Sequence, residues 1–388
     1  MDADYRFSER TGWSREENRI SRMLEELRAA GKQVLDLTRS NPTECSFPFD
    51  ERAIRKALSG SEILRYAPTP RGTVSARDAV AAYYLTNKAR VATEDVVLTS
   101  GTSEGYSFLF RLLCNAGDEV LIPSPGYPLF DFLADLCDVK LVRFPLVYDH
   151  GWQIDFAALA GAASERTRAV ILVHPNNPTG HYVSTKEQTK LAEFCGARGI
   201  ALIADEVFLD FSLGDRRGSM ASSESLTFVL SGLSKMCGLP QMKLAWIAVG
   251  GPDAAKREAL ARLELIADAY LSVGTPVQLA AAALLETRTG FQAQAMERIR
   301  ANLRELDGQL ARQSACSRLA CEGGWTAILR VPALQSDEDL AIALLKRGVH
   351  AHPGYFYDFA QPGHIAVSLI VQEQEFAEGT RRILAHFA

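Results

Sequence analysis

Apolar residues are arranged along the chain in two distinct patterns. Between about residues 96 and 250, short apolar runs alternate with amphipathic stretches. VVLTS (96–100), EVLIPS (119–124) and KLVRFPL (140–146) predict strands, with a helix from about Ser103 to Asn115 after the first. RAVILVHP (168–175) and IALIADEVF (200–208) are nearly continuous apolar runs, as expected of strands buried on both faces. Between them, TKEQTKLAEFCGARG predicts a helix stopped by Gly199. SLTFVLSGLS and LAWIAVGG predict two more strands. Alternation of strands and helices implies a mostly parallel sheet covered by helices on both faces.

From about Arg257 the pattern turns helical and stays so to about Ala315. WTAILRVP, a helix over DEDLAIALLKRG, HIAVSLIV and a final helix follow. The first 50 residues hold one predicted helix, about Arg15–Ala30, and a Pro-rich extended piece. The expected fold class is α/β: a large domain over 51–280 and a smaller α+β domain. The smaller one is built from the N-terminal segment (1–50) and the C-terminal third (281–388). No internal repeat or low-complexity linker interrupts this plan.

Composition narrows the function. The chain has 388 residues, 47% hydrophobic and 23% charged, enough to bury a core without staples. With 42 basic against 47 acidic residues, it lacks the basic surplus of a general nucleic-acid binder. Seven scattered cysteines without a C-x-x-C pair read as reduced thiols in a cytoplasmic protein. The charged start, MDADYRFSER, shows no secretory signal, and no apolar run is long enough for a membrane span. H-E-x-x-H, Walker A and G-x-G-x-x-G are absent. His350-Ala-His352 reads as strand alternation rather than a metal pair, so no metal is expected.

Four segments carry candidate chemistry. Lys235, in SGLSKMCGLPQMK, directly follows an apolar run. An amine at the end of a buried strand is suited to a Schiff base with a carbonyl compound; otherwise it is a loop lysine in water. Asp205 closes another apolar strand, where a carboxylate needs a partner: a cationic ring nitrogen or a nearby Arg or Lys. His174-Pro-Asn-Asn-Pro-Thr-Gly180 marks a tight loop that can aim an Asn amide at a ligand beyond the strand's carboxyl end. Gly101-Thr-Ser-Glu-Gly105 joins a strand to a helix and suits a phosphate. The same five residues also match the G-x-S-x-G nucleophile elbow. Under that rival Ser103 is a serine hydrolase's nucleophile, with His350, His352 or His364 as base, and Lys235 and NNPTG stay unexplained.

Together these pieces resemble the class I/II, fold type I, pyridoxal-phosphate aminotransferases, from about Thr38 to the C-terminus. Tyr66-x-x-x-x-Arg71-Gly72, TSGTSEG, PSPGYP (123–128), NNPTG, DEVF, S-K-x-x-G-L-P and HPGYFY (352–357) follow in the family's order. The resemblance implies an aspartate-aminotransferase-like fold and pyridoxal 5'-phosphate as cofactor. It implies that Lys235 forms the Schiff base and then acts as general acid and base. Asp205 would keep the ring nitrogen protonated, Asn177 would donate to the phenolic oxygen, and Tyr127 would stack on the ring. Gly101, Thr102, Ser103 and Ser234 would bind the phosphate. Tyr66 would reach the phosphate of a second subunit, implying a homodimer with a shared site. The reaction implied moves an amino group from an amino donor, an amino acid in this family, to a keto acceptor. β-Elimination, decarboxylation or oxidation of an amino acid are the alternatives within the fold. Regulators that resemble this fold carry a helix-turn-helix module ahead of it, and the residues before Thr38 are too few for one.

Three positions depart from the family pattern. Phe208 stands where a Tyr usually donates to the phenolic oxygen, which predicts a more basic oxygen and a Schiff base that keeps its proton to higher pH. Lys243 replaces an Arg at the phosphate, giving a point charge in place of a fork. Ala366 stands where the substrate-carboxylate Arg is usual. Arg39 and Asn41, in LTRSNP, are the expected substitutes, unless the amino substrate carries no α-carboxylate in that pose.

Overall fold

The computed structural model describes residues 5–214 and 218–388. Eight strands form its main sheet, in the spatial order Val96–Thr99, Ala245–Gly250, Thr227–Gly232, Ala201–Asp205, Thr167–Val173, Glu119–Ser124, Lys140–Tyr148 and Trp152–Ile154. The five strands from Thr227–Gly232 to Lys140–Tyr148 run parallel. Ala245–Gly250 is antiparallel to both its neighbours, so Val96–Thr99 again points the same way as the central strands. Burial explains the apolar runs. Ile171, Ile203 and Phe228 enter one hydrophobic cluster, while Leu172, Leu202 and Val229 enter another. Alternate residues thus face opposite sides of the sheet, and both sides are covered.

A second sheet is antiparallel, ordered Ser317–Arg318, Thr326–Arg330, His364–Ser368 and His352–Pro353. The N-terminal segment meets this part of the chain. Leu35–Asp36 pairs in parallel with Val349–His350, and Ile20 and Leu27 pack against Ala341 and Leu345.

Several boundaries differ from the expectation, each for a local reason. The first long helix is Arg19–Ala29, starting later than Arg15 because Asn18 caps it by accepting from the Ser21 N–H. The helical stretch after Arg257 is three helices, Asp253–Asp268, Thr275–Glu286 and Arg288–Leu310. Leu271 at a φ of 45° and Pro276 in the next helix's first turn separate the first two. The run IALIADEVF stops being a strand at Asp205, whose carboxylate accepts from the Val207 N–H and turns the chain. The helix Thr185–Arg198 has the expected stop, Gly199 in the left-handed region, and begins with a Ser184/Glu187 capping box. Among the described residues, no helix is long and apolar enough to cross a membrane.

Candidate active site

The carboxyl ends of the parallel strands and the second sheet enclose a cavity of about 250 Å³. That is the edge where open α/β sheets place ligands, and the size is near the lower end, roughly 300 Å³, of small-molecule pockets. Thr102, Asn177, Asp205 and Lys235 line it from the main sheet, and Trp325, His352 and Ser368 from the other side.

Lys235 lies in a one-turn helix, Leu233–Met236, immediately after the strand Thr227–Gly232. The strand ends in glycine for a steric reason: a Cβ on Gly232 would lie 2.7 Å from that of Ala245 and 2.8 Å from its Cα. The lysine amine is 5.2 Å from the centre of the Trp325 ring and 5.8 Å from that of Phe208. It makes no ion pair among the described residues. Burial lowers its pKa, opposed by the charge of Asp205. An amine whose charged form is disfavoured by burial is better suited to act as a nucleophile toward an aldehyde.

Asp205 ends the strand Ala201–Asp205 and is buried. Its carboxylate accepts from the Tyr106 hydroxyl at 2.9 Å and the Val207 N–H at 3.1 Å. Burial still pushes its pKa up to about 6, against those two hydrogen bonds. A carboxylate so placed gains from a cationic partner in the cavity.

One end of the cavity suits an anion. Thr102 opens the helix Thr102–Leu113, whose first N–H groups have no intrahelical partner. Ser234 lines the same cavity. Lys243 stands beside it: a Cβ on Gly101 would lie 3.3 Å from the lysine Nζ. Gly101 and Lys243 therefore flank the cavity. Ser103, one residue further along the helix, is exposed and does not line it. Tyr127 lines the cavity with its ring set edge-on against Phe130, and Phe208 lines it while packing edge-on against Trp325.

Four further expectations meet the geometry as follows. Arg39 does not line the cavity; its guanidinium pairs with Glu375 at 3.2 Å, while its neighbours Thr38 and Ser40 do line it. Asn41 is taken up by its own turn, accepting from the Thr43 N–H and donating to Glu44. Tyr66 lies outside the cavity, in a separate surface groove, and is 75% exposed. The serine-hydrolase alternative fails because none of its candidate bases meets Ser103. His352 bonds Tyr357, His350 pairs with Asp36, and His364 bonds the Gln361 carbonyl.

Sequence reasoning missed several residues at the site. Tyr106 holds Asp205 but reads as an ordinary buried helix residue. Trp325 directly precedes, and Thr326 opens, the strand Thr326–Arg330, a stretch read only as core. Ser368 lies two residues from Ala366, so strand alternation alone would have put both on one face.

A lysine placed for a Schiff base, a carboxylate awaiting a cationic ring and an anion-binding helix start define, on this fold, the pyridoxal-phosphate class of enzyme. The family model for aminotransferase class I and II matches residues 32–383. The chain belongs to that family, whose cofactor is pyridoxal 5'-phosphate, and its residues fit the group. An alanine aminotransferase of Mycobacterium tuberculosis is 30% identical over 257 residues. That match spans 65% of this chain and 60% of the relative's length. The tyrosine aminotransferase of Mus musculus is 26% identical over 367 residues, covering 91% of this chain and 80% of that protein. The solved alanine aminotransferase of Pyrococcus furiosus superposes with a TM-score of 0.89 at 21% identity, covering 98% of this chain and 99% of that one. This structural likeness confirms the aspartate-aminotransferase-like fold.

Proposed function

We propose that this chain is an aminotransferase that moves an amino group from a small primary-amine donor to a keto acceptor. The observation that carries this reading is the buried Lys235 amine facing the same cavity as Asp205. Pyridoxal phosphate, when bound, supplies a carbonyl for the donor's nitrogen and a ring that withdraws electrons from the donor's carbon. Asp205 holds the proton of the ring nitrogen, and Tyr106 and the Val207 N–H keep that carboxylate in place. Asn177, which lines the cavity, would donate to the phenolic oxygen. Thr102, Ser234 and the helix start bind the phosphate, with Ser103 beside them and Lys243 balancing its charge. Tyr127 and Phe208 keep water from the ring. Lys235 would hold the cofactor, and its Nζ is the group that would take a proton from the donor carbon bearing the nitrogen.

The same reading assigns a homodimer. Leu64, Tyr66 and Val74, with Leu265 and Tyr270, leave apolar surface exposed around the Tyr66 groove. Tyr66 is free there to reach a second copy's phosphate. The division into 1–50, 51–280 and 281–388 is supported by the pairing of the N-terminal strand with Val349–His350. All seven cysteines stand as free thiols, which supports a reducing compartment, the cytoplasm.

A visible spectrum of the purified protein, taken before and after borohydride and followed by peptide mapping, tests the cofactor site. A band lost on reduction, with the added mass on Lys235, is expected. A protein that stays colourless with added cofactor and leaves Lys235 unmodified overturns the reading.

A further inference from the structure

We infer that the amino donor is a hydroxyl-bearing amine without a carboxylate, read by a neutral hydrogen-bonding platform in the second sheet rather than by a cation. This deepens the aminotransferase reading and rests on it.

The platform is built by strand register. Ala366 lies opposite His352 on one side and Ile328 on the other. Two residues along, Ser368 lies opposite Thr326. Ala366, Ser368, Thr326 and His352 all line the Lys235 cavity, and Ser40 and Tyr357 close the same region. The Ser368 hydroxyl is the informative atom. The residue is only 5% exposed, and its Oγ has no hydrogen-bond partner among the described residues. A buried hydroxyl that bonds nothing costs stability unless a ligand meets it. His352 shares its Nδ1 with the Tyr357 hydroxyl at 2.9 Å, which leaves Nε2 as the ring's second hydrogen-bonding atom.

Charge excludes the alternative. The cavity's lysine is Lys235, which reacts, and Lys243 beside it serves the phosphate end. Arg39 pairs with Glu375 and does not line the cavity. His352 stays neutral, since burial and then the neighbouring His350 push its pKa down to about 4. A donor carboxylate would be desolvated here with no unspent counter-ion among the described residues, and that is costly. A hydroxyl both donates and accepts, as Ser368, Thr326 and the imidazole do, and it pairs with them without a charge penalty. Trp325 and Tyr357 supply apolar walls for the donor's carbon skeleton.

The test uses the holoenzyme and matched donors that share one side chain: L-alanine, L-alaninol and L-alaninamide, with the phenylalanine set beside them. Each is mixed without a keto acceptor, and the loss of the visible band is followed against donor concentration. The alcohol is expected to react at least tenfold more efficiently than the acid. Ser368→Ala should lower the alcohol's efficiency about tenfold, the worth of one hydrogen bond, and leave the acid's alone. A preference for the acid in the native protein overturns the inference while the aminotransferase reading stands, and it would point to a cation supplied by a second copy. Equal losses for acid and alcohol in Ser368→Ala also overturn it, because a merely structural serine acts on both. If no donor bleaches the band although borohydride fixes the cofactor to Lys235, the aminotransferase reading falls, and this inference with it.

Discussion

The two ends of the cavity are built by different rules. At the cofactor end, Asp205 and Lys235 stand at the carboxyl ends of two main-sheet strands, Ala201–Asp205 and Thr227–Gly232, which pair with each other. Both are ionisable side chains, Asp205 buried and Lys235 partly so, where chance would put neither. At the other end, Ala366, Ser368 and His352 come from short strands of the second sheet and carry no charge. The first end is a fixed chemical demand: an amine, a carboxylate and an anion site. The second is a recognition surface that tolerates many solutions. It follows that substitutions at the first end should abolish chemistry, and substitutions at the second should redistribute it among donors.

Lys235→Ala is the sharpest way to separate them. Transfer should fall about a thousandfold with every donor, the range lost with a proton-transferring group. The borohydride-fixed mass should vanish from the peptide that held it. A variant that keeps a tenth of the native rate would break the comparison at its root. Asp205→Asn comes next. It keeps the shape and both hydrogen-bond neighbours but removes the charge held beside the ring, and a loss of about a hundredfold in kcat is expected. The loss should be the same for acid, alcohol and amide donors. A loss that depends on the donor would mean that Asp205 also reads the substrate.

The same contrast explains what the sequence could tell. Lys235 and Asp205 were legible because each ends an apolar run, where a charge demands a reason. The main sheet was legible because runs such as RAVILVHP are apolar on both faces, and a strand buried twice has no other pattern. Ser368 was not legible, because a serine in HIAVSLIV looks like ordinary strand alternation until its partnerless hydroxyl is seen. The surroundings of Arg39 were not legible, because a sequence does not show what a loop arginine will meet. Only the fold brings Glu375, far along the chain, within 3.2 Å of it. The three helices after Arg257 merged for a plainer reason: helical periodicity continues through a break that is made by backbone angles at Leu271.

Phe208→Tyr probes the border between the two ends. Phe208 faces the Lys235 amine and packs against Trp325, so an added hydroxyl would stand beside the reacting linkage. A new donor toward the phenolic oxygen lowers that oxygen's basicity, and the linkage then gives up its proton at lower pH. The pH midpoint of the visible band should move down by about one unit. An unchanged midpoint would place the hydroxyl away from that oxygen and leave Phe208 a packing residue alone.

The smallest effect concerns Glu206, next to Asp205 but turned away from the cavity. Glu206 is buried; one carboxylate oxygen accepts from the Met220 N–H at 2.6 Å, the Ser219 side chain also bonds the carboxylate, and the other oxygen has no hydrogen-bond partner among the described residues. Burial pushes its pKa up to about 8, well above the 4.5 ordinary for the side chain, with the charges of Asp210 and Asp205 adding to the rise. Between those two values the folded protein keeps a proton that the unfolded chain has lost. Stability is therefore full below about pH 4.5 and drains away as pH rises toward 8. The slope is at most about 1.4 kcal/mol per pH unit, or about 1–2 °C in Tm for a chain of this size. Glu206→Gln removes the titrating group while keeping a hydrogen-bonding side chain of the same shape. Melts of the holoenzyme at several pH values from about 5 to 8 should show a flatter dependence in the variant. The holoenzyme is the right form, because a cationic ring beside Asp205 cancels the rise in that carboxylate's pKa and leaves Glu206 to dominate. An identical slope in variant and native protein would show that Glu206 does not carry the proton, and that the cost of this buried carboxylate is met by its neighbours.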